Sequence, residues 1–222
     1  MIRRFALFFV AALVCASLSP PFARRPAPQT ASGAEAITYR KIFKSSFPEF
    51  TEIKIHPDGS GSAELRQMDD EPNAEKFQVS AALAQRIFSL AAELHDFAGQ
   101  DLDVHRRIAN LGQKTFRWEK GAESHEVAFN YTTNTAASQL LSLMEGLARQ
   151  QDDLSTLTRT MRYDRLGVND VLGHIDEHLN NKILPEPAVL LPDLDQVAAD
   201  DKFLDLARQR ARSLAERIRA GK

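Results

Sequence analysis

The sequence predicts an α+β protein in which two β-hairpins form a small antiparallel sheet packed with two helices, followed by an all-helical C-terminal region. Two observations support this class. Polar and apolar residues alternate over residues 51–66 and 115–131, each time with a turn in the middle. Apolar residues recur at helical spacing over residues 80–96, and again from residue 135 onward. Helices that follow hairpins in this order are expected to cover one face of the sheet.

Residues 1–23 have the composition of a signal peptide. Arg3 and Arg4 precede an apolar run over residues 5–18, and two prolines follow that run. A helix needs roughly 20 apolar residues to span a bilayer, so we expect a segment that is removed after export rather than a permanent anchor. The surroundings of the two arginines lack the rest of a twin-arginine consensus. The expected location is therefore the periplasm or the extracellular space.

Cys15 is the single cysteine of the sequence, and it lies inside the apolar run. Lipid attachment at this thiol is an alternative to cleavage further along, although Val14 stands where a small residue is usual. Cleavage beyond Cys15 leaves a chain without a thiol. That outcome excludes disulfides, thiol catalysis and cysteine-zinc sites together.

The charge of the chain bears on its partners. Without residues 1–23, which contain two arginines and no acid, 26 basic residues face 30 acidic ones. These charges are mixed along the sequence, whereas nucleic-acid binding needs concentrated Lys and Arg. We therefore expect no nucleic-acid partner. Residues 24–37 begin with a stretch rich in Pro, Ala, Ser and Thr and are expected to form a flexible linker.

An α+β domain is expected over residues 38–150. In its first hairpin, Ile53 and Ile55 share one side of a strand, and Asp58–Gly59 supplies a turn with positive φ. Ser80 is the predicted cap of the following helix, which extends to about residue 96. The apolar residues of that helix share one face, so we expect that face to be buried.

The second hairpin turns at Lys120–Gly121 and has aromatic residues on both strands. Phe116 and Trp118 share one face of the first strand, and Phe129 and Tyr131 share one face of the second. If these faces coincide, four rings pack across the hairpin. We expect them to form core beneath the helices. The alternative, which needs an accessible Trp118, is an interaction surface for a protein or a glycan.

A helical region is expected over residues 151–222. A seam of residues spaced by four and three predicts one long helix that enters this region from about residue 135. Two of the seven seam positions, Gln151 and Thr158, are polar, which favours a helix docked on the domain over a dimeric coiled coil. We therefore expect a monomer. Further helices are expected at 167–181, 192–199 and 201–219.

Two resemblances accompany this plan. About residues 38–150 are similar to uncharacterised exported bacterial domains in the order PEFTEIKIHPDGSGSAEL, then a helix, then TFRWEKGAESHEVAFN. This similarity implies no activity. About residues 191–219 resemble a single HEAT-type helix pair in the stretch LLPDLDQVAADDKFLDLARQRARSLAERI. That resemblance implies a helical hairpin used for packing or for protein contact.

The heptapeptide GHIDEHL contains the H-x-x-E-H spacing of inverted zinc peptidases in His174, Glu177 and His178. On a helix, the two histidines can share one face, as zinc binding requires. Such an enzyme also needs a third protein ligand downstream, and the acids that follow His178 lack a suitable setting. We expect three boundary residues of a packed helix, with a metal-dependent hydrolase, in which Asp170 lies one turn earlier, as the alternative.

Asp101, Asp103 and His105 stand at every second position and would point the same way on an extended segment, where they could hold a divalent cation. The competing interpretation is a surface loop whose acids are offset by Arg106 and Arg107. We expect the surface loop, because no further ligand is recognisable.

Motifs for nucleophilic catalysis and for phosphate binding are missing from the sequence. We therefore expect no enzyme, no cofactor and no metal. The favoured function is a non-enzymatic binding or assembly module of the cell envelope. An inhibitor or chaperone-like partner of another exported protein is an alternative, which would also act by binding without catalysis.

Overall fold

The computed structural model describes residues 34–221 and confirms the α+β class with a helical C-terminal extension. The predicted signal peptide, Cys15 and most of the predicted linker lie outside the described residues. The strands are β1 (Ala36–Ile42), β2 (Phe50–Ile55), β3 (Ser60–Arg66), β4 (Glu75–Gln78), β5 (Gln113–Lys120) and β6 (Glu123–Phe129). The helices are α1 (Ala81–Glu93), α2 (Thr135–Tyr163), α3 (Val168–Asn180), α4 (Leu191–Ala199) and α5 (Asp205–Arg219).

The six described strands form one antiparallel sheet in the order β4-β3-β2-β1-β5-β6. Both predicted hairpins are present, as β2–β3 and β5–β6. The sequence prediction contains neither β4 nor β1, and β1 is the strand that joins the two hairpins. Ile37 of β1 lies opposite Ile55 on one side and opposite Trp118 on the other. β1 begins at Ala36, within the segment expected to be linker.

The two faces of the sheet differ in chemistry. Alternate side chains such as Ile37, Tyr39 and Ile53 are fully buried in a core that also contains Phe116. The opposite face carries cross-strand ion pairs, which suit a partly solvated surface. They include Arg40 with Glu52 at 2.7 Å and Lys54 with Glu119. Within β3 itself, Arg66 pairs with Glu64 at 2.6 Å.

The short connections between strands lie at one end of the sheet, and the long ones lie at the other. At one end, which we call the turn end, residues 56–59 join β2 to β3 and residues 121–122 join β5 to β6. At the opposite end, the loop end, the connections are longer or lead to helices. These are residues 43–49, 67–74, 98–112 and 130–134.

Helices α1 and α2 cover the core face. Ser80 caps α1 as predicted, since its hydroxyl oxygen accepts a hydrogen bond from the backbone N–H of Leu83 at 3.2 Å. The side chain of Asn134 caps α2 in the same way through the N–H of Ala137 at 3.0 Å. α1 ends at Glu93, three residues before the predicted end, and a 3₁₀ turn follows in which Asp96 has a φ of 52°.

The helices after α2 surround a second, aliphatic core. Buried Leu172, Ile175 and Leu194 belong to it, and α4 and α5 pack side by side within it. The Arg212 guanidinium donates to the carbonyl oxygen of Ala198 at 3.0 Å, and Arg219 pairs with Asp195 at 2.5 Å. These contacts show that α4 and α5 run antiparallel.

Helix α2 belongs to both cores and runs through the expected domain boundary at residues 150 and 151. Its first half packs in the sheet core, and Leu157 and Met161 pack in the helical core. Between them lie the buried polar side chains Gln150, Gln151 and Asp153. The described residues belong to one compact unit. None of the described helices combines the length and apolar character needed to cross a bilayer.

Candidate ligand-binding groove

Three adjoining cavities form a groove between α2 and the loop end of the sheet, which we call the α2 groove. Their volumes are about 340, 320 and 330 Å³. Shared lining residues show that neighbouring cavities adjoin one another. The first two share Phe47, Pro48, Leu65 and Asp152, and the last two share Glu75, Ser155 and Arg159.

One face of α2 lines all three cavities of the groove. Seven of the α2 residues that line the groove recur every three or four positions, which places them on the same side of the helix. At 1.5 Å per residue, the lined face is roughly 30 Å long. Its members are Ser142, Glu145, Arg149, Asp152, Ser155, Arg159 and Arg162.

Phe47 stands on the opposite wall, at the junction of the first two cavities. Its side chain is 87% exposed, which is unusual for a phenylalanine in a folded protein. The loop that carries it is held in place. The hydroxyl of Ser46 lies 2.6 Å from two backbone carbonyl oxygens of this loop, and Glu49 accepts a hydrogen bond from the N–H of Met68 at 3.3 Å.

A polar cluster lies in the first cavity. Glu145 accepts hydrogen bonds at the same carboxylate oxygen from the Tyr39 hydroxyl at 3.0 Å and from the Lys41 ammonium at 3.3 Å. Burial raises the pKa of Tyr39 far above its usual value, and the charge of Glu145 adds to this effect. Tyr39 therefore stays protonated and acts as a donor. The cluster orients a carboxylate that remains partly open to solvent.

Gly146 allows the chain after α3 to pass directly over α2. A Cβ atom at this position would lie 2.5 Å from the carbonyl oxygen of Ile183, closer than any non-bonded contact permits. The same approach brings Ile183 into the wall of the first cavity. A glycine that weakens the helix by propensity is therefore required here by packing.

The groove has the chemistry of a binding site. The residues that line its three cavities include both signs of charge, amide and hydroxyl groups and several apolar side chains, but no histidine. The hydroxyl of Ser46 faces carbonyl oxygens and not a base, so nothing there activates it as a nucleophile. The arrangement can bind a ligand through mixed polar and apolar contacts.

The residues of the H-x-x-E-H stretch do lie on a helix, α3, but they face different surroundings. Nδ1 of His178 lies 2.8 Å from a carboxylate oxygen of buried Asp153 on α2, a partner that the sequence analysis did not identify. His174 and Glu177 are exposed, as is Asp170. Among residues 34–221, no three side chains of His, Cys, Asp or Glu converge closely enough to hold a metal ion.

Asp101, Asp103 and His105 lie on an irregular loop. Nε2 of His105 is 2.7 Å from Asp101. One oxygen of Asp103 accepts hydrogen bonds from the backbone N–H groups of Asn130 at 2.8 Å and Tyr131 at 3.2 Å, and the other accepts one from the N–H of His105 at 3.1 Å. These bonds, above all those from Asn130 and Tyr131, hold the pKa of Asp103 below its usual range. The trio ties the loop to the end of β6.

The four aromatic residues of the second hairpin do not form one cluster. Phe116 and Phe129 pack together at 5.1 Å between ring centroids, and Phe97 stacks on Phe116 at 5.5 Å. Trp118 instead stacks on His125 at 5.4 Å and is only 6% exposed. Its ring therefore offers little area to a ligand. Tyr131 lies beyond β6 and is 47% exposed.

The α2 groove contains none of the residues proposed from the sequence as an interaction surface. One signal for it was present: the stretch KSSFPEF places a phenylalanine among loop-forming residues between two strands. The partners of Phe47 in the groove come from α2, about a hundred residues away. Comparisons with models of known protein families and with curated proteins find no match to this chain.

Proposed function

We propose that this protein is a non-catalytic binding module of the cell envelope that takes an extended polypeptide segment in the α2 groove. The observation that carries the proposal is the exposed ring of Phe47 where two cavities adjoin. An aromatic anchor on a fixed loop is the kind of residue that dominates the energy of a protein interface.

The dimensions of the groove favour a polypeptide over a small molecule. A segment in extended conformation rises about 3.3 Å per residue, so a groove roughly 30 Å long accommodates about nine residues. Glu145 and Arg149 offer both signs of charge beside apolar Leu65 and Ile183. Such mixed walls suit alternating side chains and the amide groups of a peptide.

Peptide selection tests the proposal. A display library of random linear 12-residue peptides is selected on the chain from Arg24 onward, and fluorescence anisotropy measures the affinity of the enriched peptides. We expect Phe47→Ala to weaken binding at least about tenfold, because truncating an aromatic anchor typically costs 2 kcal/mol or more. The matched control is Leu206→Ala, at an exposed apolar residue of α5. Failure to enrich any peptide, or equal affinity of the Phe47→Ala variant, argues against the groove.

The envelope location rests on the sequence of residues 1–23. Its test is independent of peptide binding. The protein is expressed in a Gram-negative host, the cell is fractionated, and the N-terminus of the recovered protein is determined. A periplasmic or secreted product that begins after residue 23 supports export. A cytoplasmic product that retains Met1 contradicts it.

A further inference from the structure

The large apolar side chains that the sheet region leaves exposed all lie at its loop end. Among the described residues before α2, these are Phe47, Met68, Ile108, Leu111 and Tyr131. The turn end has none of them. Single exposed apolar residues need no explanation, but their concentration at one end of a sheet marks a contact surface.

Seven consecutive exposed residues, HRRIANL, form the most prominent part of this end, and we call them the 105–111 loop. Ile108 is 41% exposed and Leu111 is 44% exposed. Asn130 holds the loop beside Tyr131, since its side chain donates to the carbonyl oxygen of Ala109 at 2.9 Å and accepts from the N–H of Leu111 at 2.8 Å. The side chains of Ile108, Leu111 and Tyr131 therefore belong to one apolar patch.

Lys114 fixes the base of this patch. The side chain is 5% exposed, and its ammonium group donates to the carbonyl oxygens of Leu111 at 3.2 Å and Asn130 at 2.9 Å. The loop is thus attached to β5 and to the end of β6. Its exposed side chains are presented by an anchored segment, which lowers the entropy that binding would cost.

The charges of the loop are available to a partner. Arg106 and Arg107 are exposed and form no ion pair within the described part of the chain. The neighbouring acids are engaged, Asp101 by His105 and Asp103 by the backbone of residues 130 and 131. Two adjacent arginines next to apolar side chains therefore project from a protein that is acidic as a whole.

We propose that the 105–111 loop docks this protein on an anionic lipid surface, with Ile108, Leu111 and Tyr131 entering the interface and Arg106 and Arg107 contacting lipid phosphates. The combination of arginines and apolar side chains complements the negative headgroups and the acyl boundary of such a bilayer. The chain as a whole carries a net charge of −2, so overall charge does not draw it to an anionic bilayer and the attraction must come from a local cluster such as this loop.

A protein partner is the competing occupant, and the shape of the patch favours lipid. These apolar side chains project beyond the sheet, and none of the three cavities of the α2 groove includes them. Protein interfaces concentrate their energy in closely packed pockets. A projecting apolar tip needs no pocket in order to enter a fluid interface.

Flotation with lipid vesicles tests the proposal. The chain from Arg24 onward is used, because the apolar run at residues 5–18 would itself bind lipid. The described residues form a compact unit without the preceding segment, and thermal unfolding checks that each variant is folded. The vesicles contain either phosphatidylcholine alone or phosphatidylcholine with one quarter phosphatidylglycerol, at low and at 0.5 M salt.

We expect binding to the anionic vesicles and much weaker binding to neutral vesicles or at high salt. Arg106→Glu with Arg107→Glu should lower the partition coefficient at least about 25-fold, since each cation near an anionic surface contributes about fivefold. Ile108→Ser with Leu111→Ser should lower it about tenfold or more. Neither pair of substitutions should affect peptide binding in the α2 groove.

The matched controls carry the same chemical changes elsewhere. Lys182→Glu with Lys202→Glu repeats the change in charge at exposed positions, and Leu204→Ser with Leu206→Ser repeats the loss of exposed apolar area. Both controls should bind as the parent chain does. Absence of binding to anionic vesicles overturns the proposal. Equal binding by the 105–111 loop variants, or an equal loss in the controls, overturns it as well.

Discussion

The two ends of the sheet differ in how their strands are connected. At the turn end, four residues join β2 to β3 and two residues join β5 to β6, and glycines with positive φ make these turns possible. At the loop end, longer segments carry Phe47, the exposed apolar residues and one wall of the α2 groove. Short turns serve strand pairing, whereas longer connections on a rigid scaffold are free to carry binding residues. We therefore expect substitutions in the short turns to change mainly stability, and substitutions of the exposed apolar side chains at the loop end to change mainly binding.

The largest expected effect on stability is at Gly59 of the turn end. Gly59→Ala adds a Cβ atom 2.5 Å from the carbonyl oxygen of Val79 at a φ of 81°. We expect a loss of about 2–4 kcal/mol, from left-handed backbone strain together with a backbone clash. Denaturant unfolding measures it. Gly121→Ala is the control, because its φ is 63° and no atom lies within 4 Å of the new Cβ. It should lose only about 1 kcal/mol.

A second effect is expected in the wall of the α2 groove. Gly146→Ala places a Cβ atom 2.5 Å from the carbonyl oxygen of Ile183, so the segment after α3 must move. We expect a loss of about 1–3 kcal/mol, as for overpacking of a close contact. Peptide binding should also weaken, because Ile183 lines the first cavity. A gain in stability, as helix propensity alone predicts, would contradict this role for Gly146.

Each end of the sheet has an aspartate whose pKa is lowered by hydrogen bonds, so the dependence of stability on pH gives a third comparison of the two ends. The pKa of Asp103 at the loop end is lowered by backbone N–H groups of Asn130 and Tyr131, and that of Asp58 at the turn end by the hydroxyl and N–H of Ser60. Both ionised groups stabilise the fold above the usual pKa of 3.8, and that contribution is lost as the pH falls through the lowered value.

Asp103→Asn should therefore destabilise the protein at neutral pH, and the difference from the parent chain should shrink in acid. Asp58→Asn should show a smaller difference, because Ser60 is close enough in sequence to bind Asp58 in the unfolded chain too. Urea unfolding at several pH values measures both. A larger loss of stability for Asp58→Asn than for Asp103→Asn would contradict this prediction.

The smallest change in stability is expected for Phe47→Ala at the loop end. A side chain that is 87% exposed has little buried area to lose, so unfolding free energy should change by no more than about 0.5 kcal/mol. The same variant is expected to lose peptide affinity. A large loss of stability instead would show that Phe47 belongs to the fold and not to a binding surface.

Much of the fold could be predicted from local patterns. The two hairpins, the Ser80 cap and the long helix α2 each follow from residues that are close together in the sequence. β1 was missed although Ile37 and Tyr39 alternate with polar residues, because its strand partners lie in β2 and in distant β5. A strand in the centre of a sheet is defined by such partners.

The candidate sites could be predicted less well, for a related reason. Asp153 is the partner of His178 because α2 and α3 pack together, and their sequence separation hides the pair. Trp118 is buried because β1 and residue 35 lie beside it, where Glu35 accepts a hydrogen bond from its indole N–H at 2.9 Å. The α2 groove likewise combines residues of the first strands with those of a helix about a hundred positions later.

The sequence by itself determined the class of this protein, its turns and its helices, because hydrophobic period, capping and glycine conformation act over a few neighbouring residues. The tertiary structure alone decided that β1 lies at the centre and that the long connections gather at one end. It also decided that a groove opens beside Phe47. These features depend on contacts between segments far apart in the chain. Such contacts form only when the strands pair and α2 packs into both cores.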